Sequence, residues 1–139
     1  MSEFKATVRR IVIEEHPNAD ALELAVIDGY RAVVKKEQFQ TGDLVAYIPE
    51  QAVLPNWLIV ELGLEGRLAG KAKNRVKPQR IRGVLSQGLV YPLETDETIG
   101  NLLLKVLEDD GKFYQHVVQA GDDVTELLGV TKWEPEIPI

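Results

Sequence analysis

Short runs of alternating apolar and polar residues, each closed by a turn signal, dominate the first half of the chain. From Phe4 to Glu15 the β-branched side chains Thr7, Val8, Ile11, Val12 and Ile13 favour a strand. His16-Pro17-Asn18-Ala19-Asp20 breaks it, because proline cannot donate to a ladder and Asn and Asp favour turns. Leu22 to Ile27 and Tyr30 to Lys35 are the next two strands. Asp28-Gly29 between them is a hairpin signal, since a type I′ turn needs positive φ at both central positions. Thr41-Gly42-Asp43 then leads into Leu44 to Ile48, which Pro49 ends. Tight turns joining four such strands predict an antiparallel meander bending into a barrel.

Pro55 to Leu62 predicts a short helix with Trp57 and Leu58 turned inward, and Gly63 to Lys73 reads as an exposed loop. Val76 to Arg82 and Val84 to Leu93 predict two more strands around Gly83, with Gly88 marking a bulge or a close backbone approach. Beyond Thr95 the period changes. Ile99, Leu102, Leu103, Val106 and Leu107 fall at helical spacing, which predicts an amphipathic helix near residues 98–108, ended by Asp109-Asp110-Gly111. Val124 to Leu128 predicts one more helical turn. The end, from Trp133 to Ile139, is proline-rich and linker-like. The chain therefore divides into a barrel over residues 1–93, a helical elaboration packed on it over 94–130, and a linker over 131–139.

Composition narrows the chemistry. The chain has 139 residues, 45% of them hydrophobic, enough for one domain with its own core. It contains no cysteine, which excludes disulfides, thiol catalysis and cysteine-bound zinc. His16 and His116 are too few and too far apart in sequence for a histidine metal site, so no metal ligand is predicted. Apolar runs are far shorter than a membrane span and the amino terminus is no signal peptide, so the expectation is a cytoplasmic protein without a membrane partner.

Charge changes the picture more than composition does. The net charge is −6, yet residues 66–93 hold seven cations and no acid. They are Arg67, Lys71, Lys73, Arg75, Lys77, Arg80 and Arg82. Local field, rather than the whole-chain sum, steers a polyanion. Seven cations can also be a solvated face or a surface for an acidic protein. On the strands and loop of a small barrel, without interspersed acids, they favour nucleic acid held in a positive groove. Lys35 and Lys36 can add charge, and Tyr30, Trp57 and Tyr91 are either stacking platforms or core residues. Arg80 and Arg82 are expected to share one strand face, with Lys73 and Arg75 reaching from the loop.

Catalytic motifs are missing. Around Gly70-Lys71 a phosphate loop would need glycine where Glu65 stands and Ser or Thr where Ala72 stands. Ser2 and Ser86 are the two serines, and Ser86 has no Gly-x-Ser-x-Gly surround. Asp109-Asp110 and Asp122-Asp123 read as solvated acids, and His16 before Pro17 as a turn residue bonding backbone. No catalytic residue is predicted.

Four stretches carry a family resemblance. His16-Pro17-Asn18-Ala19-Asp20-Ala21-Leu22-Glu23-Leu24 resembles the opening of OB-type tRNA-binding domains and of the OB domain of certain RNA ligases. Gly42 to Glu50 with Val53-Leu54-Pro55, and Ile81 to Leu93 with its Ser86-Gln87-Gly88-Leu89 core, resemble the ligase branch. Asp123 to Pro135 is similar to the passage that leads into the catalytic domain of those ligases. The family is that of the Deinococcus-type ATP-dependent RNA ligases. The resemblance implies an OB-type antiparallel barrel, mainly β, that grips broken or nicked RNA or DNA during RNA repair. Gln87 joins the nucleic-acid-binding candidates on this basis. ATP and Mg²⁺ are implied for the parent ligase and its covalently linked nucleotidyltransferase domain, and no cofactor is expected on this chain. The alternatives are a stand-alone tRNA- or RNA-binding module and a protein-interaction barrel.

Such ligases carry adenylate on the lysine of a Lys-x-Asp-Gly motif, and no Lys-x-x-Gly occurs here. Incubated with labelled ATP and Mg²⁺, this chain is therefore expected to take up no covalent adenylate. A stoichiometric adenylyl-lysine in the intact-mass spectrum would contradict that division of labour.

Overall fold

The computed structural model describes residues 4–135. Its first β-branched stretch is split at Ile11 into β1 (Thr7–Arg10) and β2 (Val12–Glu15). β2 pairs antiparallel with β3 (Leu22–Ile27), and β3 pairs with β4 (Tyr30–Lys35). β1 pairs instead with β5 (Leu44–Ile48). Ile11 is completely buried at the corner, so one length of chain belongs to two sheets. The hairpin between β3 and β4 forms as expected, but only Asp28 of its two central residues has positive φ, at 53°.

Next come β6 (Ala52–Val53), α1 (Asn56–Leu62), β7 (Gln79–Ile81), β8 (Val84–Ser86) and β9 (Leu89–Pro92). α1 ends at Gly63 in the left-handed conformation, φ 70°, with the glycine N–H on the carbonyls of Ile59 and Val60. That cap needs no Cβ, which is why the helix stops there. β9 pairs with β5 on the edge opposite β1. Between β4 and the β8–β9 turn, Gln87 N–H reaches the Arg31 carbonyl at 2.7 Å, and Ser86 Oγ accepts from Val33 N–H at 2.9 Å. The strand order is that of an OB barrel whose ladders do not close into a full ring.

The third part corrects the expected helix near residues 98–108. Glu94–Thr95 is β10, Leu102–Leu107 is β11 and Phe113–Val118 is β12, joined as an antiparallel sheet. Gly100, at φ 82°, closes a turn onto Asp96, which stops a helix from running through Ile99. The run from Leu102 to Leu107 is apolar on both faces, and such a run fits helix and strand spacing equally. Its partner across Asp109-Asp110-Gly111 decides the outcome. The later helical turn does form, as α2 (Thr125–Leu128). Thr131–Lys132, expected to begin a linker, is instead strand β13, paired with β6. The end of that expected linker, residues 136–139, lies outside the described residues.

Two apolar clusters hold these parts. Ile11, Ala25, Ile27, Ala32, Val34, Phe39, Val45, Tyr47 and Val90 fill the barrel. A second cluster lies on the outer side of β5 and β9, where Ala46, Ile48 and Tyr91 meet Leu58 of α1, Leu104 and Val106 of β11, and Leu128 of α2. Gly88, at φ 81°, lets the β8–β9 turn cross β5 closely. A Cβ there would meet Tyr47 Oη at 2.5 Å and the Ile48 carbonyl oxygen at 2.7 Å. Gly88→Ala is expected to destabilise the domain by about 2–4 kcal/mol, from left-handed strain plus overpacking. Gly29→Ala, with open space around its Cβ, is expected to change it by no more than about 0.5 kcal/mol. Urea midpoints of the two variants make the comparison.

Candidate nucleic-acid interface

A cleft of about 620 Å³ opens between β4, α1 with the loop after it, and the β7–β8 hairpin. Its apolar floor includes Ala32, Val34, Leu68, Val76 and Val90, all buried. Lys35 enters from β4, Arg67 and Lys77 from the two ends of the basic loop, and Gln38 and Gln79 add amides. Among the described residues Glu61 is the single acid on the lining, and it pairs with Lys105 at 3.6 Å. Three cations therefore face an opening whose one carboxylate has its own partner. Ser86 lies at the floor as an acceptor for Val33 N–H, so its hydroxyl joins strands rather than serving as a nucleophile.

The other expected cations go elsewhere, for local reasons. β7 puts Gln79 and Ile81 on the cleft and Arg80 on the opposite face, because side chains alternate along a strand. Arg82 is not on that strand. It occupies the first turn position at φ 52°, followed by Gly83 at 85°, so the expected shared face of Arg80 and Arg82 does not exist. His16 and Asn18 brace this hairpin. His16 Nε2 lies 3.0 Å from the Ile81 carbonyl, and Asn18 Nδ2 donates to the Arg82 carbonyl at 2.8 Å. Lys71 and Lys73 are exposed in a loop outside the cleft lining. Arg75 does not reach out with them: its guanidinium lies 4.0 Å from the centre of the Trp133 ring. Lys36 is exposed but does not line the cleft.

Among the expected platforms, Tyr91 is 4% exposed, and its hydroxyl donates to the Lys105 carbonyl at 2.8 Å. Burial, with Glu61 nearby, pushes that phenol up to about 12, so it stays a neutral donor. Trp57 is half-buried, edge-on to both Tyr91 and Phe113 at 6.3 Å. Both rings serve the outer apolar cluster, as core residues rather than stacking platforms. Tyr30 remains 48% exposed, stacked on Tyr47 at 6.2 Å, away from the cleft lining. Tyr47, whose phenol burial also raises, donates to the Gln87 carbonyl at 2.9 Å. The Gln87 backbone thus holds two structural bonds, one to Tyr47 and one to Arg31.

Among the described residues the lining carries no aromatic ring, so the arrangement suits contacts to a phosphate backbone, which carry no sequence information. Sequence reasoning missed Gln38 and Gln79. Alternation from Ile81 was the available signal for Gln79. Among the described residues no group of three acids, histidines or cysteines could hold a metal ion, and no helix is long and apolar enough to cross a membrane.

Comparison with known proteins gives consistent matches. A family model described as an OB-fold domain matches residues 5–93. The Naegleria gruberi RNA ligase with PPi aligns with a TM-score of 0.72 at 30% identity, covering 99% of this chain and 37% of that chain. A mutant of the same ligase with ATP and Mn gives 0.70 at 29%, covering 97% and 37%. The phenylalanine–tRNA ligase beta subunit of Latilactobacillus sakei subsp. sakei (strain 23K) is 27% identical, over 96% of this chain and 16% of its own length. The chain thus spans well under half the length of each of these proteins.

Proposed function

The chain belongs to the OB-fold domain family, and from that premise we propose that it is the nucleic-acid-gripping domain of an ATP-dependent RNA ligase. In this reading the cleft holds the backbone of broken or nicked RNA or DNA, and a separate nucleotidyltransferase domain seals the ends with ATP and Mg²⁺. The observation that carries it is the convergence of Lys35, Arg67 and Lys77 on one cleft, where Glu61, the acid on the lining among the described residues, is paired with Lys105. Contacts to the phosphate backbone suit substrates of arbitrary sequence, because a break can fall anywhere. The similarity to RNA ligase structures supports the ligase assignment. The tRNA ligase relative favours one second reading, a tRNA-binding module. That module would prefer intact tRNA over a nicked duplex.

Binding titrations across salt test the proposal. Three phosphate contacts give a log–log salt slope of about −2 to −3. Changing Lys35, Arg67 and Lys77 to Glu together is expected to weaken binding of nicked RNA at least about 30-fold at low salt and to flatten that slope. Changing Arg80 and Arg82 to Glu is expected to cost only about threefold, a long-range effect that salt removes. A folded triple variant that binds as tightly as the parent would sink the reading. Tighter binding of intact tRNA than of nicked duplex would move it to the tRNA-binding module.

A further inference from the structure

Trp133 takes no part in the cleft lining, yet it is tied to the loop that supplies most of the cleft's charge. β13 lies against β6, with Thr131 opposite Val53 and Lys132 opposite Ala52, and Trp133 N–H donates to the Gln51 carbonyl at 2.7 Å. The same short segment also holds the base of the basic loop. Val76 N–H bonds the Ala52 carbonyl at 2.8 Å, Gln51 N–H the Val76 carbonyl at 2.8 Å, and Leu54 N–H the Asn74 carbonyl at 2.9 Å. Residues 51–54 are therefore held between the carboxyl-terminal segment and the loop.

Arg75 joins the two sides. Its backbone exchanges bonds with Ala69 in both directions, at 2.9 and 3.0 Å, which closes the loop carrying Lys71 and Lys73. Its Nε is buried without a hydrogen-bond partner among the described residues. The guanidinium is thus partly desolvated and lies on the Trp133 ring face, the setting in which a cation–π contact is strongest. Arg67 and Lys77 stand two positions outside the Ala69–Arg75 pairing, one on each side. Whatever fixes that pairing fixes the direction of both cleft cations.

We propose that Trp133 is a positioning residue for the cleft: its ring clamps Arg75, and the clamped Ala69–Arg75 closure aims Arg67 and Lys77 into the opening. The proposal rests on the reading of the cleft as a nucleic-acid site. It reassigns Arg75 from phosphate contact to loop anchor. It also means that a ligand or a pull on residues 131–135 alters the grip at a distance.

Amide exchange and RNA binding, measured on the same variants, test the clamp. Trp133→Ala is expected to speed exchange of the Ala69 and Arg75 amides about fivefold or more. It is also expected to weaken single-stranded RNA binding about tenfold at low salt and to reduce the salt slope by about 1. Trp133→Phe, which keeps an aromatic face, is expected to stay within about twofold of the parent in both exchange and affinity. Trp133→Leu keeps apolar bulk without the ring, so it is expected to fold like Phe and bind like Ala, covering the case in which Ala unfolds. Unchanged exchange at Ala69 and Arg75, or a lower melting temperature with an unchanged slope, overturns the clamp. A parent chain that binds no RNA defeats the nucleic-acid reading instead, and the exchange rates then decide the clamp alone.

Discussion

β5 is buried on both faces, and the architecture follows from that constraint. Val45 and Tyr47 point into the barrel, while Ala46 and Ile48 point into the outer cluster. A strand with two apolar faces cannot sit at the surface of a lone barrel, because one face would meet water at about 25 cal/mol for each Å² exposed. The outer face of β1, β5 and β9 therefore requires a cover. α1, the β10–β12 sheet and α2 supply it, and Tyr91 and Trp57 are committed to packing there. Thr125 Oγ1 accepts from Ala6 N–H at 2.8 Å, and Val8 N–H bonds the Asp122 carbonyl at 2.9 Å, so the cover also protects the free edge of β1.

The proposed grip depends on the same division. The outer layer occupies one side of the barrel, which leaves the side bounded by β4 and the β7–β8 hairpin open. The long excursion between β5 and β9 crosses that opening with α1 and the basic loop. Arg67 and Lys77 at the two ends of the basic loop face in, while the cations at the loop tip and the hairpin turn do not. Charge in this chain is concentrated by sequence and then sorted by topology.

What was legible in the sequence is what local chemistry decides. β3, β4 and β5 have the limits read from Leu22–Ile27, Tyr30–Lys35 and Leu44–Ile48, since alternation and adjacent turn residues specify them without distant partners. β11 reads as a helix from sequence because its two-sided apolar run takes its form from Phe113–Val118, a partner chosen by tertiary pairing. The site was legible in its charge and not in its geometry. Arg82 follows from a turn conformation and Arg80 from strand phase. Arg75 follows from an aromatic ring 58 positions later in the chain. None of these is visible in a count of cations.

The most direct test of the account is where the domain meets a single-stranded RNA oligonucleotide. A ¹H–¹⁵N correlation titration of the intact chain reports this residue by residue. The account predicts shifts concentrated at Lys35, Arg67, Lys77 and Gln79, which converge only in the cleft. Shifts confined to Arg80–Gly83, or centred on the β11–β12 hairpin, would contradict it.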